Sequence, residues 1–174
     1  DNIREFLKQS FFFDFVPNNM RIDSIADNIL RPDGSNIAGV LYNICEEAKN
    51  KSKLLLLVKS LPEQDITDIK FYKDHRGRIE FALVESFGST SVERTMDLLS
   101  DGTLKVLGIA AALLSVPEGS TVVIEEIDNS IHPTRAHIIL SLLRQYAEER
   151  KLNLLLSTHN PALKDALLDE ALAD

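Results

Sequence analysis

Two short apolar runs, Thr-Val-Val-Ile at 121–124 and Leu-Asn-Leu-Leu-Leu at 152–156, constrain this chain more than any other feature. A helix-patterned stretch from Pro133 to Arg150 separates them, and helical periodicity also precedes the first run (Asp101 to Ser115) and follows Pro161. Strands that alternate with helices pair in parallel, because an antiparallel return needs only a tight turn. The expectation is an α/β fold with strands over Thr121–Glu125 and Leu152–Ser157, flanked by helices. The second strand is nearly all apolar, which predicts helices covering both of its faces.

The upstream half reads differently. Residues 1–35 mix Phe11, Phe12, Phe13 and Phe15 with the turn formers Pro17, Asn18, Asn19, Pro32, Asp33 and Gly34, which indicates an irregular docking segment. The phenylalanines are read as core packing or as a surface for another lobe. From Ser35, with Ser35 or Asn36 as N-cap, Ile37, Val40, Leu41, Ile44 and Ala48 fall at helical spacing. A second stripe of Leu54, Leu55, Leu57, Val58 and Leu61 predicts a helix over Lys51–Leu61 ended by Pro62, with a buried strand as the alternative. Ile69 and Phe71, then Ile79, Phe81 and Leu83, alternate with polar residues around Asp74-His75-Arg76-Gly77, the pattern of an antiparallel hairpin. Ser86–Ser91 is read as a small-residue linker.

Composition narrows the function classes. A length of 174 residues supports one compact domain, and 44% hydrophobic with 26% charged residues excludes disordered and low-complexity classes. The net charge of −8 gives no nucleic-acid-coating surface. The lone Cys45 fits a reducing, cytoplasmic compartment, and no apolar run reaches the ~20 residues needed to cross a bilayer. The start at Asp1-Asn2-Ile3-Arg4 is neither a signal peptide nor an initiator Met, so the chain is expected to begin inside a larger protein.

In a parallel α/β sheet, ligands bind beyond the carboxyl ends of the strands. One such end carries Glu125 and Glu126, and the other carries Ser157-Thr158-His159-Asn160-Pro161. Adjacent residues in a strand point to opposite faces, so one carboxylate can face a hydrated Mg²⁺ while the next activates a water. The alternative is that the two acids only solvate the strand exit or cap a helix. His159 can donate to an anionic oxygen in either protonation state. Ser100-Asp101-Gly102 opens a helix whose free N–H groups and positive dipole end suit a phosphate; an ordinary Ser or Asp N-cap is the alternative.

Taken together, Leu-Ser-Asp-Gly-Thr (99–103), Thr-Val-Val-Ile-Glu-Glu-Ile-Asp-Asn-Ser-Ile-His-Pro (121–133) and Ser-Thr-His-Asn-Pro (157–161) resemble, in order and spacing, the signature motif, the Walker B with D-loop, and the H-loop of ABC-type ATPases. Within them the chain is most similar to the RecF, SMC and OLD-like group of AAA-labelled ATPases. Arg31–Ile37 also resembles a segment of that group. The resemblance implies a P-loop NTPase fold of the ABC-head type, with the signature helix and the Walker B and H-loop lobe at 90–174, and an α+β lid region with the hairpin at 1–89.

By the same resemblance Glu126 is the catalytic carboxylate that handles the attacking water. Glu125 holds Mg²⁺ through water, in a place where the family usually has Asp. His159 senses the γ-phosphate, Ser100, Asp101 and Gly102 contact nucleotide bound to a partner head, and Asn129 and Ser130 belong to the D-loop. The implied cofactors are ATP and Mg²⁺. The implied partners are a second head, in a homodimer or higher oligomer, and an effector such as a nuclease, with nucleic acid bound through the complete protein and no membrane.

No Gly-x-x-x-x-Gly-Lys-Ser/Thr occurs in the 174 residues, so the Walker A lobe is expected upstream of residue 1. Two readings stand: an ATPase head that dimerises on ATP and switches an effector in DNA repair or anti-phage defence, and a catalytically silent regulatory or scaffolding module.

Overall fold

The computed structural model describes residues 9–61, 65–127 and 136–161. In chain order the elements are β1 (Ser10–Phe13), α1 (Pro17–Met20), β2 (Ser24–Ile25), α2 (Ile37–Glu46), α3 (Ala48–Lys59), β3 (Ile66–Lys73), β4 (Arg78–Phe87), β5 (Thr90–Thr95), α4 (Asp101–Ser115), β6 (Thr121–Ile124), α5 (Ala136–Glu149) and β7 (Asn153–Leu156). A single 3₁₀ turn, Met96–Leu98, links β5 to the loop before α4.

They form two sheets. The first is parallel, in the order β1-β6-β7, and the second is antiparallel, in the order β2-β4-β3 with β5 on β4. The expected parallel unit flanked by helices, beside an antiparallel hairpin, is therefore present. The hairpin turns at Asp74–Gly77, where the Asp74 carboxylate accepts the N–H groups of Arg76 and Arg78, both at 2.8 Å, and Gly77 takes φ 78.

Four local readings are corrected. The triple Phe11-Phe12-Phe13, placed in an irregular segment, is a strand in register with β6 (Phe11 opposite Val122, Phe13 opposite Ile124). Its parallel partner lies more than a hundred residues away, beyond the range of local patterning. Ser86–Ser91 spans a second hairpin, Phe87 opposite Thr90, because Gly88 supplies the φ of 62 that a tight turn requires. Glu47 adopts an extended backbone that splits the helical stretch, so Ala48 opens α3 instead of closing α2. Finally, among the described residues only one face of β7 is covered.

The core explains most of this arrangement. Helix α4 is buried almost all round, as befits a helix between layers. At Gly108 it meets Phe15, which stacks on Phe13 at 5.6 Å between centroids, and the buried residues Met20, Ile37, Leu41, Leu54, Leu57, Ile69, Phe81 and Leu83 join it in one cluster. Helices α3 and α5 are strapped together where the Tyr146 hydroxyl donates to the Lys53 carbonyl at 2.8 Å and Lys53 pairs with Glu149. Gly39 lets β2 lie directly on α2: a Cβ there would stand 1.8 Å from the Ile25 carbonyl oxygen.

The parallel sheet has unequal faces. Phe13, Val122 and Ile124 point into the core. On the other face Phe12, Val123 and Leu155 lie in register across the three strands, with Phe12 56% and Leu155 54% exposed.

Candidate functional site

The carboxyl ends of the three parallel strands converge, and backbone hydrogen bonds hold them there. Glu125 N–H donates to the Phe13 carbonyl at 3.0 Å, tying β6 to β1. Ser157 N–H donates to the Ile124 carbonyl at 3.0 Å, tying β7 to β6. Just beyond, Ile127 N–H donates to the Ser157 carbonyl at 3.2 Å and Glu126 N–H to Ser157 Oγ at 3.0 Å.

Between those bonds the chain leaves the strand. Glu126 has φ 49, in the left-handed region that side-chain-bearing residues avoid. Ile127, next in sequence, turns into the core and is 1% exposed, whereas Glu125 and Glu126 are both exposed. A strand run straight on would alternate side chains by twos; the left-handed residue breaks that alternation and keeps two successive carboxylates in solvent.

The H-loop stretch follows at the same edge. His159 is exposed, and the N–H of Asn160 donates to Thr158 Oγ1 at 3.1 Å, a tight turn immediately after β7. The structure thus places Glu125 and Glu126 beside Ser157 at the strand ends, with the His159 turn next in the chain. Asn129 and Ser130 lie outside the described residues.

Ser100, Asp101 and Gly102 are fixed by different neighbours. Ser100 caps α4: its Oγ accepts the Thr103 N–H at 3.1 Å and lies 2.9 Å from Thr103 Oγ1. The Asp101 carboxylate takes a 2.6 Å ion pair from Arg21, which also donates to the Leu99 carbonyl at 2.9 Å. The ordinary N-cap reading is realised here, and it leaves the other N–H groups of the first turn outside the cap bond.

Two residues with site contacts escaped the motif reading. Arg21 sits in the segment taken as irregular, and nothing local marks it. Ser157 lies within the H-loop motif without a motif role, although a hydroxyl at a strand end is a usable signal for a side-chain-to-backbone bond.

The donor chemistry at β6 suits a hard cation, since Mg²⁺ is held by one or two carboxylates plus waters and substrate phosphates. Among the described residues no group of three or more His, Cys, Asp or Glu side chains forms a self-sufficient metal cage. No described helix is long and apolar enough to cross a membrane.

Residues 4–165 match the family described as "AAA domain, putative AbiEii toxin, Type IV TA system". Among solved structures the chain is similar to the Smc head domain with an extended coiled coil, bound to the C-terminal domain of ScpA, from Pyrococcus furiosus. Identity is 11% and the TM-score 0.45, over 67% of this chain and 29% of that one. The chain thus spans less than a third of that structure's length. No curated protein matches it.

Proposed function

We propose, from the premise that this chain belongs to that family of AAA domains, that it is the carboxyl-side part of an ATP-hydrolysing head which pairs with a second head on ATP and switches an effector. The observation that carries this reading is the convergence of Glu125, Glu126 and the His159 loop beyond the strand ends, with Glu126 turned out of the strand by its left-handed backbone.

In this proposal Glu126 orients the attacking water and accepts its proton, Glu125 faces Mg²⁺ through a bound water, and His159 donates to the γ-phosphate. Mg²⁺, when bound, neutralises charge on the phosphate oxygens. Ser100, Asp101 and Gly102 lie at the start of α4, where the remaining N–H groups meet nucleotide held by the partner head, and Asn129 and Ser130 serve the D-loop. The division into a lid at 1–89 and a motif-bearing lobe at 90–174 belongs to the same proposal. So does an upstream Walker A lobe, whose strand and helix would cover Phe12, Val123 and Leu155; parallel sheets are buried on both faces, which supports such a layer. A defence or DNA-repair effector, such as a nuclease, and nucleic-acid binding by the complete protein are the biological side of it.

A silent regulatory or scaffolding module is the second reading. It is favoured by the commitment of Ser100 Oγ and the Asp101 carboxylate to Thr103 and Arg21. ATP turnover by the complete protein separates the two. Glu126→Gln should trap an ATP-bound dimer with little turnover. Undiminished turnover in that variant overturns the catalytic assignment, and absence of ATP binding by the complete native protein establishes the silent one.

A further inference from the structure

We infer that Ser157 is a positioning residue for the Glu126 carboxylate: its hydroxyl holds the left-handed backbone from which that carboxylate projects. The inference deepens the proposed function and rests on its assignment of Glu126.

The geometry is specific to this pair. Up to Ile124 the β6–β7 ladder is regular, with Ile124 opposite Leu156 and the Ser157 N–H on the Ile124 carbonyl. At Glu126, where φ is 49, the ladder is interrupted and the N–H goes to a side chain instead of a ladder carbonyl. The acceptor that receives it is Ser157 Oγ, at 3.0 Å. One residue later the ladder is re-joined, with the Ile127 N–H on the Ser157 carbonyl at 3.2 Å. Ser157 therefore engages three groups of the β6 exit, the Ile124 carbonyl, the Glu126 N–H and the Ile127 N–H, through its N–H, its hydroxyl and its carbonyl. Only the hydroxyl bond depends on which side chain stands there.

That bond bears on the carboxylate because a non-glycine residue in the left-handed region persists only where its surroundings over-determine it. Glu126 is exposed, and the restraint visible among the described residues comes from the backbone bonds and from Ile127, which is anchored in the core. Without the hydroxyl, the Glu126 peptide can relax towards an extended conformation that points the side chain elsewhere. The link also joins the two motifs: His159 is two residues beyond Ser157, so a shift of the H-loop pulls on the residue that holds Glu126.

The test uses the complete protein and compares Ser157→Thr, which keeps the hydroxyl, with Ser157→Val, which has nearly the same shape and lacks it. Ser157→Val should lower kcat on the order of 10²-fold, the effect of a misplaced catalytic group, with the KM for ATP changed less than about twofold and Ser157→Thr within about threefold of native turnover. The Glu126 amide should be slow to exchange with solvent in the native protein and in Ser157→Thr, and fast in Ser157→Val. Native-like kcat in Ser157→Val, alongside loss of turnover in Glu126→Gln, overturns the positioning role and leaves the proposed function standing. Retained turnover in Glu126→Gln overturns the reading beneath it. Should Ser157→Val fail to fold, rapid exchange of the Glu126 amide in the native protein overturns the inference by itself.

Discussion

The Arg21 guanidinium lies 2.6 Å from an Asp101 carboxylate oxygen and 2.9 Å from the Leu99 carbonyl, joining segments 80 positions apart in sequence at the start of α4. The two contacts differ in worth. Asp101 is 69% exposed and its pair is screened by water, while the carbonyl bond is made by a cation whose side chain is 23% exposed. Arg21→Ala should cost about 1–2 kcal/mol in urea denaturation. Asp101→Asn should cost less than about 1 kcal/mol, and equal losses from the two would place the energy in the ion pair instead.

Gly39→Ala tests the contact between β2 and α2. The added methyl would meet the Ile25 carbonyl oxygen at 1.8 Å and the carbonyl carbon at 2.7 Å, and both are backbone atoms that cannot rotate aside. The Gly39 N–H also donates to Ser24 Oγ at 2.9 Å, so retreat of β2 breaks a hydrogen bond too. A loss of at least ~3 kcal/mol is expected, at the upper end of overpacking costs, read as a fall in denaturation midpoint at unchanged slope.

In the antiparallel sheet, Glu85 has a side chain only 2% exposed and receives two bonds from Arg94, at 2.8 and 2.9 Å. Removing the cation leaves a carboxylate buried without its partner. Arg94→Ala should lower the melting temperature by roughly 5–10 °C, whereas the double change Arg94→Met with Glu85→Leu should recover most of that loss. Additive losses in the double variant would refute the coupling.

Two groups set opposite limits on the pH range. Burial pushes the Cys45 thiol up to about 12, with Lys51 opposing and Asp68 assisting. The unfolded chain ionises first, so the stability from Cys45 is complete below the ordinary value of 9.0 and is lost as pH rises towards 12. Alkylation by iodoacetamide at pH 8 should be slow in the folded chain and fast in urea. For Asp33, burial alone would raise the carboxyl, but bonds from Ser35 and Asn19 outweigh it and hold it below 3.8. Its contribution is present above 3.8 and is lost as pH falls below that value, so Asp33→Asn should flatten the acid side of a stability–pH curve.

Legibility in the sequence followed the range of the interaction concerned. Helix α4 could be bounded at Asp101 and Ser115 because its cap, Ser100, and its apolar stripe are local. The Asp74–Gly77 hairpin is likewise local, with its turn residues between two alternating runs. Strand β1 was illegible, since Phe11-Phe12-Phe13 has no alternation and acquires its identity from β6. At the site, Glu125, Glu126 and His159 were legible as motif residues. The left-handed turn at Glu126 was not, because it depends on the Ser157 hydroxyl, 31 positions away.

The pairing of Ser10–Phe13 with Thr121–Ile124 also imposes an order of events on a ribosome. At roughly 5–20 residues per second, the first strand waits several to about twenty seconds for its neighbour to be made. Meanwhile three consecutive phenylalanines lack their β6 partner, while the hairpins and helices between can fold on local contacts. A sticky segment thus stays exposed for as long as the residues between β1 and β6 take to be made, a natural point of engagement for a holding chaperone and a place where slowed translation would raise the yield of misassembled protein.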